Sequence, residues 1–254
     1  MIESLAIASA LILFRVAAFV AFLPPMGGVG MPATVKIGLS IALTVMLAPL
    51  HAGTAAQTLA TGSGNLATWI WLAFLSGRET ILGISMAWMF GLCLTPVRTA
   101  GAWISQEMGL TMGGLTSPMD AQPSNVFSQF LEAIGVMMFF TMNMHHIVFF
   151  SFGQTFIARP VGSGWLLPNW DAFVKAVSLS IDQGLVVIAP IGILLFVTVL
   201  MLLITIRAAP QFNFMSYGMT LRLMAGMIAV VLFLPEICGA IQMILYQVGS
   251  GGGF

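Results

Sequence analysis

Six long apolar stretches dominate the chain, at residues 5–23, 35–50, 66–96, 126–152, 183–207 and 218–247, and clusters of proline, glycine and asparagine separate them. A bilayer-spanning helix needs about 20 consecutive apolar residues, so runs of this length without strict alternation read as helices. The pattern predicts an all-α, polytopic integral membrane protein, its hydrophobic stretches arranged as hairpins with some helices kinked or broken. One domain covers residues 1–248, and the Gly-rich residues 249–254 read as a flexible tail. The second stretch ends at Pro49 and is short for a span, which predicts a tilted, half-inserted or protein-buried segment. The third is longer than one span and carries Arg78-Glu79, so a bend is expected near Gly77.

Between the first two stretches, Pro24, Pro25, Gly27, Gly28, Gly30 and Pro32 predict a hairpin turn flanked by Arg15 and Lys36. Pro210, Gln211 and Asn213 punctuate the last two stretches in the same way. Over residues 170–182 the apolar positions Trp170, Phe173, Val174, Val177 and Ile181 follow helical spacing, while Asp171, Lys175, Ser178 and Asp182 occupy the opposite face. That segment reads as an amphipathic helix lying along the membrane surface or covering its own hairpin, with Asp171 and Lys175 spaced as an i,i+4 ion pair. The chain opens Met-Ile-Glu-Ser, with an acidic first charge, so the first stretch is expected to be kept as a helix rather than cleaved as a signal.

Composition agrees with this picture and narrows the function. The chain has 254 residues, 59% of them hydrophobic and 6% charged, against about 25% charged in ordinary soluble domains. Eight Lys and Arg balance eight Asp and Glu, which leaves no electrostatic footprint for binding nucleic acid or for a polybasic membrane-surface contact. Cys93 and Cys238 sit in apolar surroundings with no metal-ligand spacing and read as reduced core thiols. Glu132, His145 and His146 lie on one expected helix, but at about 1.5 Å rise per residue Glu132 and His146 stand roughly 21 Å apart, and adjacent histidines point about 100° apart. No metal site, cofactor or catalytic residue is expected, because no metalloprotease, nucleophile-elbow, P-loop or dinucleotide fingerprint occurs.

Two features carry more information. Arg15, Glu79, Glu132, Arg222 and Glu236 fall within or at the ends of apolar stretches, where a charge facing lipid is costly and must find a partner. A secondary transporter would use such pairs as a coupling network at a midplane site. A subunit buried among sister subunits would use them in protein contacts. The second feature is Gln106–Ser124, QEMGLTMGGLTSPMDAQPS, which interrupts strongly apolar helices with glycines, prolines and methionines and has no regular period. A loop this long inside a compact domain is often functional. Glycines allow close backbone approach and positive φ, and Met108, Met112 and Met119 are unbranched and polarisable, a combination suited to a deformable seal.

The sequence resembles the R subunits of the flagellar and type III secretion export gate, the FliR/SctT family. The resemblance runs in order along nearly the whole chain: FRVAAFVAFLPPMGGVGMPATVKIGLSIALTVMLAP at 14–49, including Arg15, Pro24, Pro32, Lys36, Gly38, Leu39 and Pro49; RTAGAWISQEMGL at 98–110 with Pro118; Asn143 and His145; and APQFNFMSYGMTLRLMAG at 209–226. One departure is visible, since the family commonly has an acidic residue directly after the glycine matched by Gly101, where this chain has Ala102-Trp103. The resemblance, read closer to the flagellar branch, implies a helical, non-enzymatic structural subunit of a protein export gate in the bacterial inner membrane, within the flagellar basal body. Its implied partners are P-type and Q-type gate subunits, a B-type switch subunit, unfolded secreted substrates and membrane lipid. The resemblance also implies that the loop at Met108, Gly109, Leu110, Met112, Gly113, Gly114, Pro118 and Met119 is a pore plug. Arg15, Lys36, Glu79, Glu132, Asn143, His145, Gln211 and Arg222 are then expected in subunit contacts or as buried polar groups, and Pro24, Pro32, Pro49 and Pro210 at turns or kinks.

Overall fold

The computed structural model describes residues 2–23, 32–60, 68–110, 126–162, 170–208 and 214–249. Among them all regular structure is helical: α1 (Ile2–Phe22), α2 (Ala33–Ala60), α3 (Thr68–Gly91), α4 (Thr95–Glu107), α5 (Val126–Thr141), α6 (Met144–Ala158), α7 (Trp170–Ala208), α8 (Phe214–Leu232) and α9 (Leu234–Gly249). Three described helices are long and apolar enough to cross a membrane, or up to six elements if each pair divided by a short break counts as one span. Large apolar side chains stand exposed along these helices, among them Ile37, Val45, Phe150, Val186, Ile193 and Val231. A water-facing surface does not carry so much contiguous apolar area; lipid or other protein must cover it.

The prolines divide into two kinds. The chain runs helical through Pro49 in α2 and through Pro190 in α7, so the second stretch does not end at Pro49 and is not short: its span covers Ala33–Gly53. A proline inside an apolar helix forfeits one backbone bond without ending the helix when the flanking turns are held by neighbours. Pro96 and Pro235 instead sit in the first turn of α4 and α9, where a missing N–H is no loss, and the preceding helices end just before them. The third stretch therefore breaks at 92–94 and not at Gly77, which α3 passes through as a helical residue. At the last break α8 and α9 meet at 59°.

Two other expectations are corrected. Residues 170–182 are not a separate surface helix, because they continue without interruption into the fifth stretch as the 39-residue α7. The sequence 183–185 supplies no breaker strong enough to end a helix, since Gly184 alone costs only about 1 kcal/mol. The fourth stretch divides at Asn143, whose φ of 56° is a left-handed turn that asparagine tolerates better than other non-glycine residues. Of the Gly-rich tail expected at 249–254, Gly249 closes α9 and residues 250–254 lie outside the described residues.

The chain forms two compact units, residues 1–91 with 145–173, and residues 92–144 with 174–254. In the first, α1 packs on α2 and α3. Its buried residues Ala8, Ile12, Arg15, Phe19 and Leu23 recur every three or four positions and define an inward stripe that uniform hydropathy conceals. Phe19 stacks on Phe152 of α6 at 4.0 Å between ring centroids and meets Phe90 edge-on at 6.3 Å. In the second unit α4 packs on α5, and α9 packs on α5 and α8. Val97, Ile104, Leu131, Ile191 and Ile241 are fully buried there.

Candidate functional site

The single charge in the inward stripe of α1 explains the most buried polar cluster. Arg15 lies 1% exposed, and Glu79 of α3 is 0% exposed. Arg15 Nε donates to Glu79 Oε2 at 2.6 Å, Nη2 forms an ion pair with the same oxygen off the line of a hydrogen bond, and Nη1 donates to the Arg159 carbonyl at 3.1 Å. Arg78 Nη2 donates to Glu79 Oε1 at 2.8 Å. The Arg15 guanidinium also lies 4.5 Å from the ring centre of Phe156. Gly83 makes this approach sterically possible: a Cβ there would overlap the Arg15 carbonyl oxygen and stand 2.9 Å from Ala18 Cβ.

In the second unit two further arginines take carboxylates. Arg98 of α4 forms a bidentate pair with Glu132 of α5, with Nε donating to Oε2 at 3.0 Å and Nη2 to Oε1. This pair is partly exposed. Beside it the helices nearly touch, since a Cβ on Gly101 would stand 2.5 Å from Ser128 Cα and 2.8 Å from the Phe127 carbonyl oxygen. Ser128 Oγ donates to the Arg98 carbonyl at 3.0 Å. Gly101, matched by resemblance, is thus a packing position, and Trp103 two residues on is half-exposed.

The third pair holds the end of α4, so the interrupting segment expected from Gln106 begins only after Glu107. Glu107 accepts from Arg222 Nη2 of α8 at 3.0 Å. The next residue, Met108, is 1% exposed. It fills a notch made by the absent side chain of Gly226, where a Cβ would meet Met108 Cγ, Cε and Sδ at 2.5–2.8 Å. Gly109 follows with φ of 79°, a left-handed value that favours glycine, and turns the chain out of α4. Arg222 and Gly226 are four residues apart on one face of α8, with Met219 three residues before Arg222 and 3.7 Å from where a Gly109 Cβ would stand. Residues 107–109 are therefore seated on one helical stripe. Leu110 is half-buried beyond them. Met112, Gly113, Gly114, Pro118 and Met119 lie outside the described residues, as do Pro24, Pro210 and Gln211.

The remaining positions are scattered. Lys36 is half-buried near the start of α2 and its carbonyl accepts from Ser40 Oγ at 2.7 Å, one turn after Pro32. Asn143 is exposed at the break between α5 and α6. His145 and His146, expected to diverge, have ring centroids 4.3 Å apart in an edge contact, because side-chain rotamers offset the angle between neighbouring positions on the helix. Among the described residues no group of three His, Cys, Asp or Glu is placed to hold a metal ion. The packing role of Gly83, Gly101 and Gly226 is what sequence reasoning missed: glycines facing another helix look the same in sequence as Gly77 or Gly153, which have nothing near them.

Comparison with known proteins gives one family. The family model described as bacterial export proteins, family 1, matches residues 6–248. The chain is similar to the flagellar biosynthetic protein FliR of Escherichia coli strain K12, 27% identical over 89% of this chain and 83% of the relative. It is also similar to the FliR of Caulobacter vibrioides, 24% identical over 90% of this chain and 89% of the relative, and to that of Bacillus subtilis, 22% identical over 89% and 86%.

Proposed function

This chain belongs to the bacterial export proteins, family 1, and from that premise we propose that it is a structural, non-enzymatic subunit of the flagellar type III protein export gate in the bacterial inner membrane. In this reading it helps form the channel for unfolded export substrates, beside P-type and Q-type gate subunits and a B-type switch subunit. The loop that begins at Met108 acts as a plug in that channel. Its flagellar relatives, aligned over most of their length, support the machine, and the exposed apolar helices support burial against lipid and other subunits.

The observation that carries the plug reading is the seating of residues 107–109. A channel that passes an unfolded chain yet holds back ions needs a seal that yields and returns. A composition rich in glycine and methionine suits such a seal, because unbranched, polarisable side chains fit many shapes. The seal returns to one place only if its root is fixed, and the Glu107–Arg222 pair with Met108 buried against Gly226 supplies that fixture. Arg15 and Arg78 share the buried Glu79, while the partly exposed Arg98 and Arg222 pair with Glu132 and Glu107, separate contacts that suit subunit packing better than one coupling network. The test is deletion of Gly109–Pro118 in the assembled gate. Ion conductance of the resting gate rises severalfold with assembly intact; unchanged conductance in an intact assembly refutes the plug.

A further inference from the structure

The first unit encloses a cavity of about 420 Å³ between α3, α6 and the start of α7, within the range of roughly 300–1,000 Å³ that small-ligand pockets occupy. Its walls are almost wholly apolar and largely flexible or aromatic: Met86, Met89, Trp88 and Phe173, with Trp88 stacked on Phe173 at 5.2 Å between ring centroids. Two guanidinium-bearing residues, Arg15 and Arg159, are the charged groups on its lining, and among the described residues no carboxylate lines it.

The charges around it do not balance. Arg15 and Arg78 both spend themselves on Glu79. Arg159 follows the last turn of α6, gives its backbone carbonyl to Arg15, and among the described residues its side chain has no carboxylate within ion-pair distance. Arg15 and Arg78 are thus matched by Glu79, while the Arg159 guanidinium stands beside an apolar slot without a carboxylate of its own among the described residues, a setting that suits an anion. The mouth also has the composition of a membrane interface. Trp88 and Trp170 are both more than half exposed there, and tryptophan concentrates at headgroup level. Arg159 directly follows α6 and Trp170 opens α7.

We propose that this cavity binds an anionic membrane phospholipid, one acyl chain lying among Met86, Met89 and Phe173 and the lipid phosphate held by Arg159. An apolar slot excludes a free phosphate, which would lose its hydration for a single cation. A polar peptide would find little hydrogen-bonding lining beyond Ser85, Thr155 and the arginines, whereas a lipid satisfies both the slot and the charge. The site does not depend on the plug reading, since it lies in the first unit and concerns neither the loop nor its root.

Native mass spectrometry on the full chain with its co-purifying subunits, in mild detergent, tests this with phosphatidylglycerol and phosphatidylcholine of identical acyl chains. The native protein holds phosphatidylglycerol in about tenfold preference. Arg159→Gln removes that preference, Arg159→Lys keeps most of it, and Ser85→Phe, which fills the slot from α3 without changing charge, lowers binding of both lipids. Arg207→Gln, at the end of α7, leaves the preference unchanged and controls for general charge loss. Equal binding of the two lipids by the native protein overturns the proposal, and so does an undiminished preference in Arg159→Gln. Loss of a co-purifying subunit from Arg159→Gln with lipid binding intact also overturns it, and assigns the free guanidinium to a subunit contact.

Discussion

Replacing Gly101 by alanine tests the packing of the second unit more sharply than any change of charge. On the face of α4 toward α5, the added Cβ would stand 2.5 Å from Ser128 Cα, 2.8 Å from the Phe127 carbonyl oxygen and 2.9 Å from Ser128 N. All three are backbone atoms, so no side chain can rotate away. Ordinary carbon contacts lie near 3.5–4.0 Å, so the helices must part by about 1 Å. Such overpacking costs about 1–3 kcal/mol. The parting also weakens the Ser128 hydrogen bond to the Arg98 carbonyl, one turn away, worth about 1 kcal/mol. Against this, alanine is the better helix former by about 1 kcal/mol. The net is a loss of about 1–3 kcal/mol. Gly77→Ala is the matched control, because nothing lies within 4 Å of a Cβ there and only the helix gain of about 1 kcal/mol remains. Thermal unfolding of the two purified variants in the same detergent should separate them by several degrees, Gly101→Ala below the parent and Gly77→Ala at or above it. Gly101→Ala unfolding at or above the temperature of Gly77→Ala would refute the close approach of α4 and α5.

Other expectations follow the same logic of burial. Glu79→Ala leaves Arg15 and Arg78 buried without a counter-charge and should cost about 3–5 kcal/mol, seen as loss of folded protein after membrane extraction. Glu132→Ala removes only a partly exposed partner of Arg98 and should cost about 1 kcal/mol or less in the same assay; equal losses would contradict the difference in burial. At the α5–α6 break, Asn143→Gly should be neutral or mildly stabilising in thermal unfolding. Asn143→Val should cost about 1–3 kcal/mol, because a β-branched residue is strained at φ of 56°.

Hydropathy made the helices legible, and the need of Arg15 and Glu79 for partners followed from the cost of charge in apolar surroundings. The pairing itself did not, because 64 residues separate them and nothing in composition selects Glu79 for Arg15. Proline marks helix limits unevenly: Pro49, read as the end of the second stretch, lies within α2, as Pro190 lies within α7, while Pro96 and Pro235 open α4 and α9. The distinction depends on whether neighbouring helices hold the turn, which is a tertiary fact. Met108 was legible as part of an unusual loop, but its buried seat was not, since Gly226 lies 118 positions on in an otherwise uniform apolar helix.

The first unit is assembled from residues 1–91 and 145–173, so its last pieces leave the ribosome long after its first. The Arg15 side chain meets the Arg159 carbonyl across 144 positions. At 5–20 residues per second that interval is roughly 7–30 s. During it Arg15 can already reach Glu79, but Phe156 of α6, which lies over its guanidinium, and the carbonyl that receives Nη1 have not been made. Until then the Arg15 guanidinium is only half covered. Order of synthesis thus becomes a constraint on assembly: a partner that arrives before residue 173 meets an open first unit, and one that arrives afterwards meets a closed one.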